Sequence, residues 1–573
     1  YNLKSINRNN VLYDRFLAAI DVTTDASGNP VCRSEIDPTT RSPATVFGIP
    51  TGEFGYLTFV PGQGQCKPAN LFGPGAISQD AVDFITTTTT NRFRTDLFEI
   101  HGLIAGDTSD FFNLPYDNIQ FAIGAEYRKE TARSTFDPLV RGILPVTTVD
   151  GTAGQFVGDA PGFNGQGFSQ TSLGTPPDGF FQNSGGSYDV YDIFAEIGTS
   201  LLRDVPLFQE LRVELAGRMS HYSTAGTVFT YAANGIWSPI EDLKLRGTYA
   251  RAVRAPNISE LFAPAQAAFF RPFDPCDQTE IDRLTAAGNP NVQNRIANCR
   301  ADGIPAGFSD PLSARFAGTI SGNPNLREET ADTYTFGGVV QPRFIPGLAL
   351  TMDYYKIRID DAISTVAAQD VVNNCYDSTT FPNEFCTSFT RNRDPASAQF
   401  LGFTSLNLTT INFVRIETAG VDASLSYRTM IGKHRLGLNA TASWVDRLNF
   451  FFDPTDLTRI DPELGEINRP EWAGRGTVSY GFENFNLNYT LNYFGSMALR
   501  GVEIETFEAQ FGPAGIAKET FIHNLAASYT FNQGLEIFGG VNNFTDTKPF
   551  ITERAYPANP VGRSFYLGVR WTM

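Results

Sequence analysis

No run of this 573-residue sequence approaches the ~18 uninterrupted apolar residues that a membrane-spanning helix needs. Histidine occurs only four times, at His101, His221, His434 and His523, too scattered to assemble a metal site or a nucleophilic triad. There is no C-x-x-C pair, no phosphate-cradling glycine loop and no nucleophile elbow. The adjacent acids Asp360-Asp361 and Glu328-Glu329 fall at strand ends, where solvated charge is the simpler reading than a catalytic dyad. These absences predict a protein that is not an enzyme and carries no cofactor. Cations are outnumbered as well: 44 Lys and Arg against 61 Asp and Glu give a net charge of −17, which disfavours a nucleic-acid partner. The opening Tyr1-Asn2-Leu3-Lys4 lacks the charged and apolar regions of a secretory leader, so the expectation is that either processing removed the N-terminus or the chain is a fragment.

What the sequence does have is glycine and aromatics, with 52 Gly, 48 Phe and 21 Tyr. That much aromatic residue argues against disorder. With no apolar helix, it fits an all-β chain whose membrane-facing residues occupy every second position. Phe485, Leu487, Tyr489, Leu491 and Tyr493 alternate with Asn486, Asn488, Thr490 and Asn492, the cleanest example. The same period runs through Leu243, Leu245, Gly247 and Tyr249 against Lys244, Arg246, Thr248 and Ala250. That strand ends at Ala255-Pro256-Asn257, because proline cannot continue the ladder.

Read in order, residues 1–94 are rich in turn-forming segments such as DASGNP and VPGQGQ and read as an extended loop region. Residues 95–573 hold about fifteen alternating strands, the first at Leu97–Ile104 and the last at Phe565–Met573. One of them, Leu348–Ile359, slips in apolar parity near Tyr354-Tyr355, which predicts a bulge there. Connections alternate strictly between short and long. That rhythm predicts an antiparallel transmembrane β-barrel with short periplasmic turns and long extracellular loops.

The six cysteines then fall two to a long loop, with strands separating the pairs. Of the 15 pairings that six cysteines allow, the simplest is Cys32–Cys66, Cys276–Cys299 and Cys375–Cys386. Free thiols are the alternative for each pair.

Several segments resemble TonB-dependent outer-membrane receptors. Gly247–Phe262 (GTYARAVRAPNISELF) is similar to the family's mid-barrel signature. Asn323–Thr330 resembles its NPxLxPE-type lead-in to the next strand, with Arg327 in place of proline. Val541-Asn542-Asn543-Phe544-Thr545-Asp546 looks like the N-L-F-D segment, and Tyr566–Met573 like the closing strand, although Met573 replaces the usual aromatic. The resemblance implies a 22-stranded barrel around a plug. It further implies that the plug and about seven strands lie outside this chain.

By the same resemblance, the function is import of a scarce ligand of the siderophore, vitamin B12-like or oligosaccharide class across the bacterial outer membrane. The TonB-ExbB-ExbD complex would supply inner-membrane proton-motive force through the missing plug. Other implied partners are outer-membrane lipid and lipopolysaccharide. A passive channel or a surface adhesion or assembly protein is the rival reading. Exposed loop aromatics are the candidate ligand contacts: Phe180 and Phe181, Phe269, Phe270 and Phe273, and Phe450, Phe451 and Phe452. The competing role for them is loop packing or the aromatic girdle. Arg212, Arg218, Lys244 and Arg246 face the lumen or the plug, where they either draw an anion or pair with acids such as Glu214.

Overall fold

A computed structural model describes residues 2–43, 45–46, 49–50, 55–156, 182–263, 265–452, 460–499, 515–531, 534–550 and 556–572. Twenty strands share one sheet, and four of them are short loop strands, so sixteen build the wall. They are β1 Asn2–Val11, β2 Thr86–Asp107, β3 Gln120–Thr135, β4 Ser184–Val205, β5 Phe208–Tyr222, β6 Gly226–Ile240, β7 Leu243–Arg254 and β8 Glu329–Val340. The series continues with β9 Leu348–Thr365, β10 Phe403–Ile431, β11 His434–Phe451, β12 Trp472–Phe482, β13 Phe485–Phe494, β14 Thr520–Thr530, β15 Leu535–Asn542 and β16 Ser564–Trp571. Each pairs antiparallel with the next. No described helix is long and apolar enough to cross a membrane.

The registers separate two faces. Leu245 lies opposite Gly338 on the neighbouring strand, and Tyr249 lies opposite Tyr334, their rings stacked 4.8 Å apart. Met352 and Tyr354 continue that face on β9. It is apolar and exposed: Phe336 is 64% accessible, Ile193 57% and Ile104 72%. Apolar side chains left open on this scale match the lipid-facing band of a transmembrane barrel. The other face carries Lys244, Arg246, Asp353 and Asp422 and forms the lumen side.

Three sequence expectations need correction. Residues 1–94 are not loop throughout, because β1 pairs along Thr86–Arg94 and β2 begins eleven residues before Leu97. Both stretches are mostly polar on both faces, and their few apolar residues, among them Leu3, Ile6 and Phe93, follow no single parity. The bulge expected near Tyr354-Tyr355 is absent, and the register shifts instead around Ala362. Tyr355 sits on the lumen side over Gly420, where a Cβ would lie 2.7 Å from its phenol oxygen. The parity slip therefore marks an aromatic side chain in the lumen. Finally, the alternation of connections is not strict: residues 223–225 form a tight turn on the edge that otherwise carries the long loops.

Three of the long connections carry folded structure among their described residues. Residues 12–85 hold the helices Tyr13–Ile20 and Gln79–Ile85 around a cluster that includes Tyr56, Phe59 and Phe84. The β7–β8 and β9–β10 connections share a second core, with Phe308, Phe316, Val372, Tyr376, Phe389, Phe403 and Leu406 in it. The strand β10 climbs into that cap, which is why it reaches 29 residues when a bilayer crossing needs about ten.

Candidate binding site in the lumen and its cap

The four candidate cations on the inner face do not stand free. Arg212 donates to Glu214 at 2.8 Å and to Gln120 at 2.9 Å. Arg218 donates to Glu126 at 3.3 Å, lies within 4.0 Å of Asp192 and sits over the Phe194 ring. Lys244 pairs with Glu210 at 3.4 Å, and Arg246 holds Asp353 through two hydrogen bonds of 2.7 and 2.5 Å. These four cations thus have carboxylate partners on the wall itself. Those ion pairs are partly solvated, so each contributes only about 0–1 kcal/mol and stays available to exchange partners.

The lumen has two chemically different walls. From β3 to β10 it is charged, as just described. From β11 to β14 it is lined mostly by amides and hydroxyls, with Arg435 and Arg475 among them: Asn439 lies opposite Thr477, Ser479 opposite Asn488, and Thr490 opposite Asn524. Ser479 donates to Asn488 at 2.7 Å, and Ser426 donates to Asn439 at 3.0 Å. Near its lower end a cavity is lined by Arg428, Arg435, Asn439, Asn486 and Asn488. Such a wall offers many neutral donors and acceptors to whatever occupies the lumen.

Above the lumen, the cap is built around buried ion pairs. Arg391 donates to Asp274 at 2.6 and 2.9 Å, to the Leu401 carbonyl at 2.8 Å and to the Tyr376 hydroxyl at 2.9 Å. Tyr376 in turn donates to Asp302 at 2.7 Å. Burial works against the Arg391 cation, its bonds to Asp274 more than offset this, and its pKa ends above the ordinary arginine value. Burial also pushes the Tyr376 phenol up. A second pair, Arg295 with Asp377 at 2.6 and 2.7 Å, locks the helix Val292–Ala301 onto the helix Ala368–Asp377. Both pairs join residues from different outer loops. Disulfides Cys276–Cys299 and Cys375–Cys386 close those loops, and Cys32–Cys66 closes the first, with Cα separations of 5.7, 4.9 and 6.1 Å.

Strand β7 enters this cap through a short, well-capped turn. Asn257 and Glu260 form a reciprocal capping box on the helix Ile258–Phe262. Arg254 then bridges Glu260 at 3.0 Å and Glu329 at 2.6 Å, fixing the end of β7 to the start of β8.

The candidate loop aromatics divide. Phe273 is open, at 69% exposure. Phe270 packs against the cap core and Phe451 is buried, so both are packing residues, because the folded loops supply neighbours that an irregular loop would not. Phe269 is half-buried in the short strand Gln266–Phe270. Phe450 lies 6.0 Å from Phe452 with Arg469 over its ring. Phe180 and Phe181 lie outside the described residues. Among the described residues no cluster of three or more His, Cys, Asp or Glu side chains is arranged to hold a metal ion. No local signal in the sequence points to the buried Asp274–Arg391 pair, since its members lie far apart in the chain.

The sequence matches the family described as TonB dependent receptor-like, beta-barrel, over residues 38–544. The chain belongs to that family. It is therefore an outer-membrane β-barrel. Among solved structures, the siderophore receptor PirA from Acinetobacter baumannii is similar at 14% identity and a TM-score of 0.50, covering 88% of this chain and 58% of that one. The ferric enterobactin receptor PfeA from Pseudomonas aeruginosa, in a mutant form bound to enterobactin, is 14% identical with a TM-score of 0.49 over 85% of this chain and 55% of its own. The ferric-catecholate import receptor Fiu from E. coli is 13% identical with a TM-score of 0.42, over 84% and 55%. At these identities the likeness extends to the fold alone. The chain spans a little over half the length of the receptors it resembles. No curated protein matches it in sequence.

Proposed function

We propose that this receptor barrel takes up a scarce ligand of the siderophore, vitamin B12-like or oligosaccharide class, driven by the proton-motive force through TonB-ExbB-ExbD. The observation that carries this reading is the family match over most of the wall and cap. A self-paired polar lumen suits it, because ion pairs that contribute little can be rearranged as a plug or cargo moves past. Initial capture belongs to the cap, where Phe273 is the most exposed of the described candidate aromatics. Siderophore receptors among the similar folds put a ferric siderophore first for testing.

Uptake by cells expressing the complete receptor tests the proposal, with ferric siderophores, cobalamin and oligosaccharides offered in parallel. Accumulation of one class that stops when the proton-motive force is dissipated or TonB is deleted is the expected result. Uptake that persists without TonB would identify a passive channel. No uptake of any class would favour a surface adhesion or assembly role.

A further inference from the structure

The cavity at the short-turn end of the lumen breaks the charge balance found elsewhere on the inner wall. Arg212, Arg218, Lys244 and Arg246 each meet a carboxylate, and so does Arg570, 3.1 Å from Glu536. Arg428 and Arg435 do not. Among the described residues the Arg428 side chain has no partner. Arg435 donates only to neutral oxygens, the Glu483 carbonyl at 3.0 Å and the Asn486 amide at 3.3 Å. The Glu483 carboxylate is itself taken by Lys433 at 2.6 Å. No Asp or Glu is among the described residues that line the cavity.

The strand registers bring the two cations together. Across β10 to β13, Met430, Arg435, Gly481 and Asn486 form one row, and Arg428, Gly437, Ser479 and Asn488 form the next. Both rows are in phase with Asn439 and Thr477 two residues further up, so all of them face the lumen. Arg428 and Arg435 are therefore diagonal neighbours on adjacent strands, about 7–8 Å apart. Glycines stand in the middle of the rows. A Cβ on Gly481 would lie 2.8 Å from the Arg435 Nε, so the arginine lies across β12 in the space that the glycine leaves. Gly437, opposite Arg428, adds no side chain to the floor. The cavity has a volume of about 660 Å³, and Asn439, Ser479, Asn486 and Asn488 complete its lining. That size suits a small molecule.

A single exposed guanidinium holds an anion weakly. Two that converge over a glycine floor present two planar forks of N–H donors, each matched to the oxygens of a carboxylate or phosphate. The two bonds already made by Arg435 fix its side chain, so less freedom is lost when an anion arrives. The diagonal spacing favours a ligand with two charged groups over one with a single group. The neighbouring amides and Ser479 supply both donors and acceptors for hydroxyls on the same molecule.

We infer that Arg428 and Arg435 form a binding site for a small molecule carrying at least two oxyanion groups, a di- or tricarboxylate or a phosphorylated compound. The site lies at the opposite end of the lumen from the cap, and it does not depend on which ligand the receptor imports.

Equilibrium dialysis of the complete receptor, purified in detergent at low ionic strength, tests the site with tricarballylate and pyrophosphate as probes. At least one should bind, one molecule per receptor and about tenfold more tightly than acetate. The tighter of the two tells a carboxylate site from a phosphate site. An Arg428→Gln, Arg435→Gln double variant should lose about tenfold in affinity, while Arg570→Gln, whose cation already has an acid, should bind like the parent. Heat-modifiable migration on a gel verifies that each barrel is folded. Should the double variant not fold, arginine modification of the unaltered receptor decides the matter. The bound probe should slow phenylglyoxal attack on Arg428 and Arg435 about threefold, read by peptide mass spectrometry, and leave Arg343 in the neighbouring turn unprotected. Failure of both probes to bind, full affinity in the folded double variant, or protection of neither arginine would overturn the inference. So would complete displacement by sodium chloride at matched ionic strength, which would show diffuse screening in place of a site.

Discussion

The wall and the cap of this receptor solve opposite problems with the same strands. On the wall, apolar side chains such as Ile193 and Phe336 are exposed, and charged ones such as Arg246 and Asp353 face a wet lumen. In the cap the order is inverted: Phe403 and Leu406 are buried, and so is the Arg391–Asp274 pair, with side chains 1% and 0% exposed. Lipid is the apolar solvent of the wall, whereas the cap must make its own interior. The same ion-pair chemistry is therefore weak in one region and critical in the other, because desolvation decides its weight.

The contrast is broken most severely by Asp274→Ala. It strands the Arg391 cation in an apolar interior and should cost the cap about 3–5 kcal/mol. Limited proteolysis should then cut in the β7–β8 and β9–β10 loops while the barrel keeps its heat-modifiable migration. Equal loss of wall and cap would mean that the two are one cooperative unit. Next in size is a charge placed on the lipid face. Ile193→Arg should destabilise the barrel in lipid by about 2–4 kcal/mol, as read from urea unfolding in bilayers. Ala216→Arg, which faces the lumen opposite Glu196, should change little.

Replacing Cys276 and Cys299 by serine should weaken the cap by about 2–4 kcal/mol. Faster hydrogen exchange in the helices Gln278–Ala286 and Val292–Ala301 is the expected readout, with β7 and β8 unaffected. The smallest effect belongs to the lumen. Arg246→Ala removes a two-bonded ion pair, yet its solvation limits the loss to about 0–1 kcal/mol by thermal unfolding. A loss comparable to Asp274→Ala would show that the lumen is as dry as the cap.

What the sequence made legible follows the same division. Within the bilayer, lipid on one side and water on the other impose a period of two, so β7 and β13 were readable residue by residue. Beyond the bilayer both faces are wet, and the period vanishes. The run TTTTTNRFRT at the start of β2 and the whole of β1 look like loop for that reason. Disulfide partners were accessible because strands partition the cysteines among the loops. The cap core was not, since its members come from connections far apart in sequence and its critical charges, Asp274 and Arg391, look like ordinary surface residues. Lumen cations were visible as the polar half of the alternation, but their partners required the register: Arg246 meets Asp353 across an intervening strand.

The central claim is that one face of this sheet meets lipid and the other meets a water-filled lumen. Spin labels at Thr351→Cys and Met352→Cys, neighbours on β9 with opposite facings, test it directly in outer-membrane vesicles. The Met352 label should relax with lipid-soluble oxygen and be shielded from a water-soluble nickel chelate, and the Thr351 label should do the reverse. Equal exposure of both labels to the nickel chelate would contradict the account.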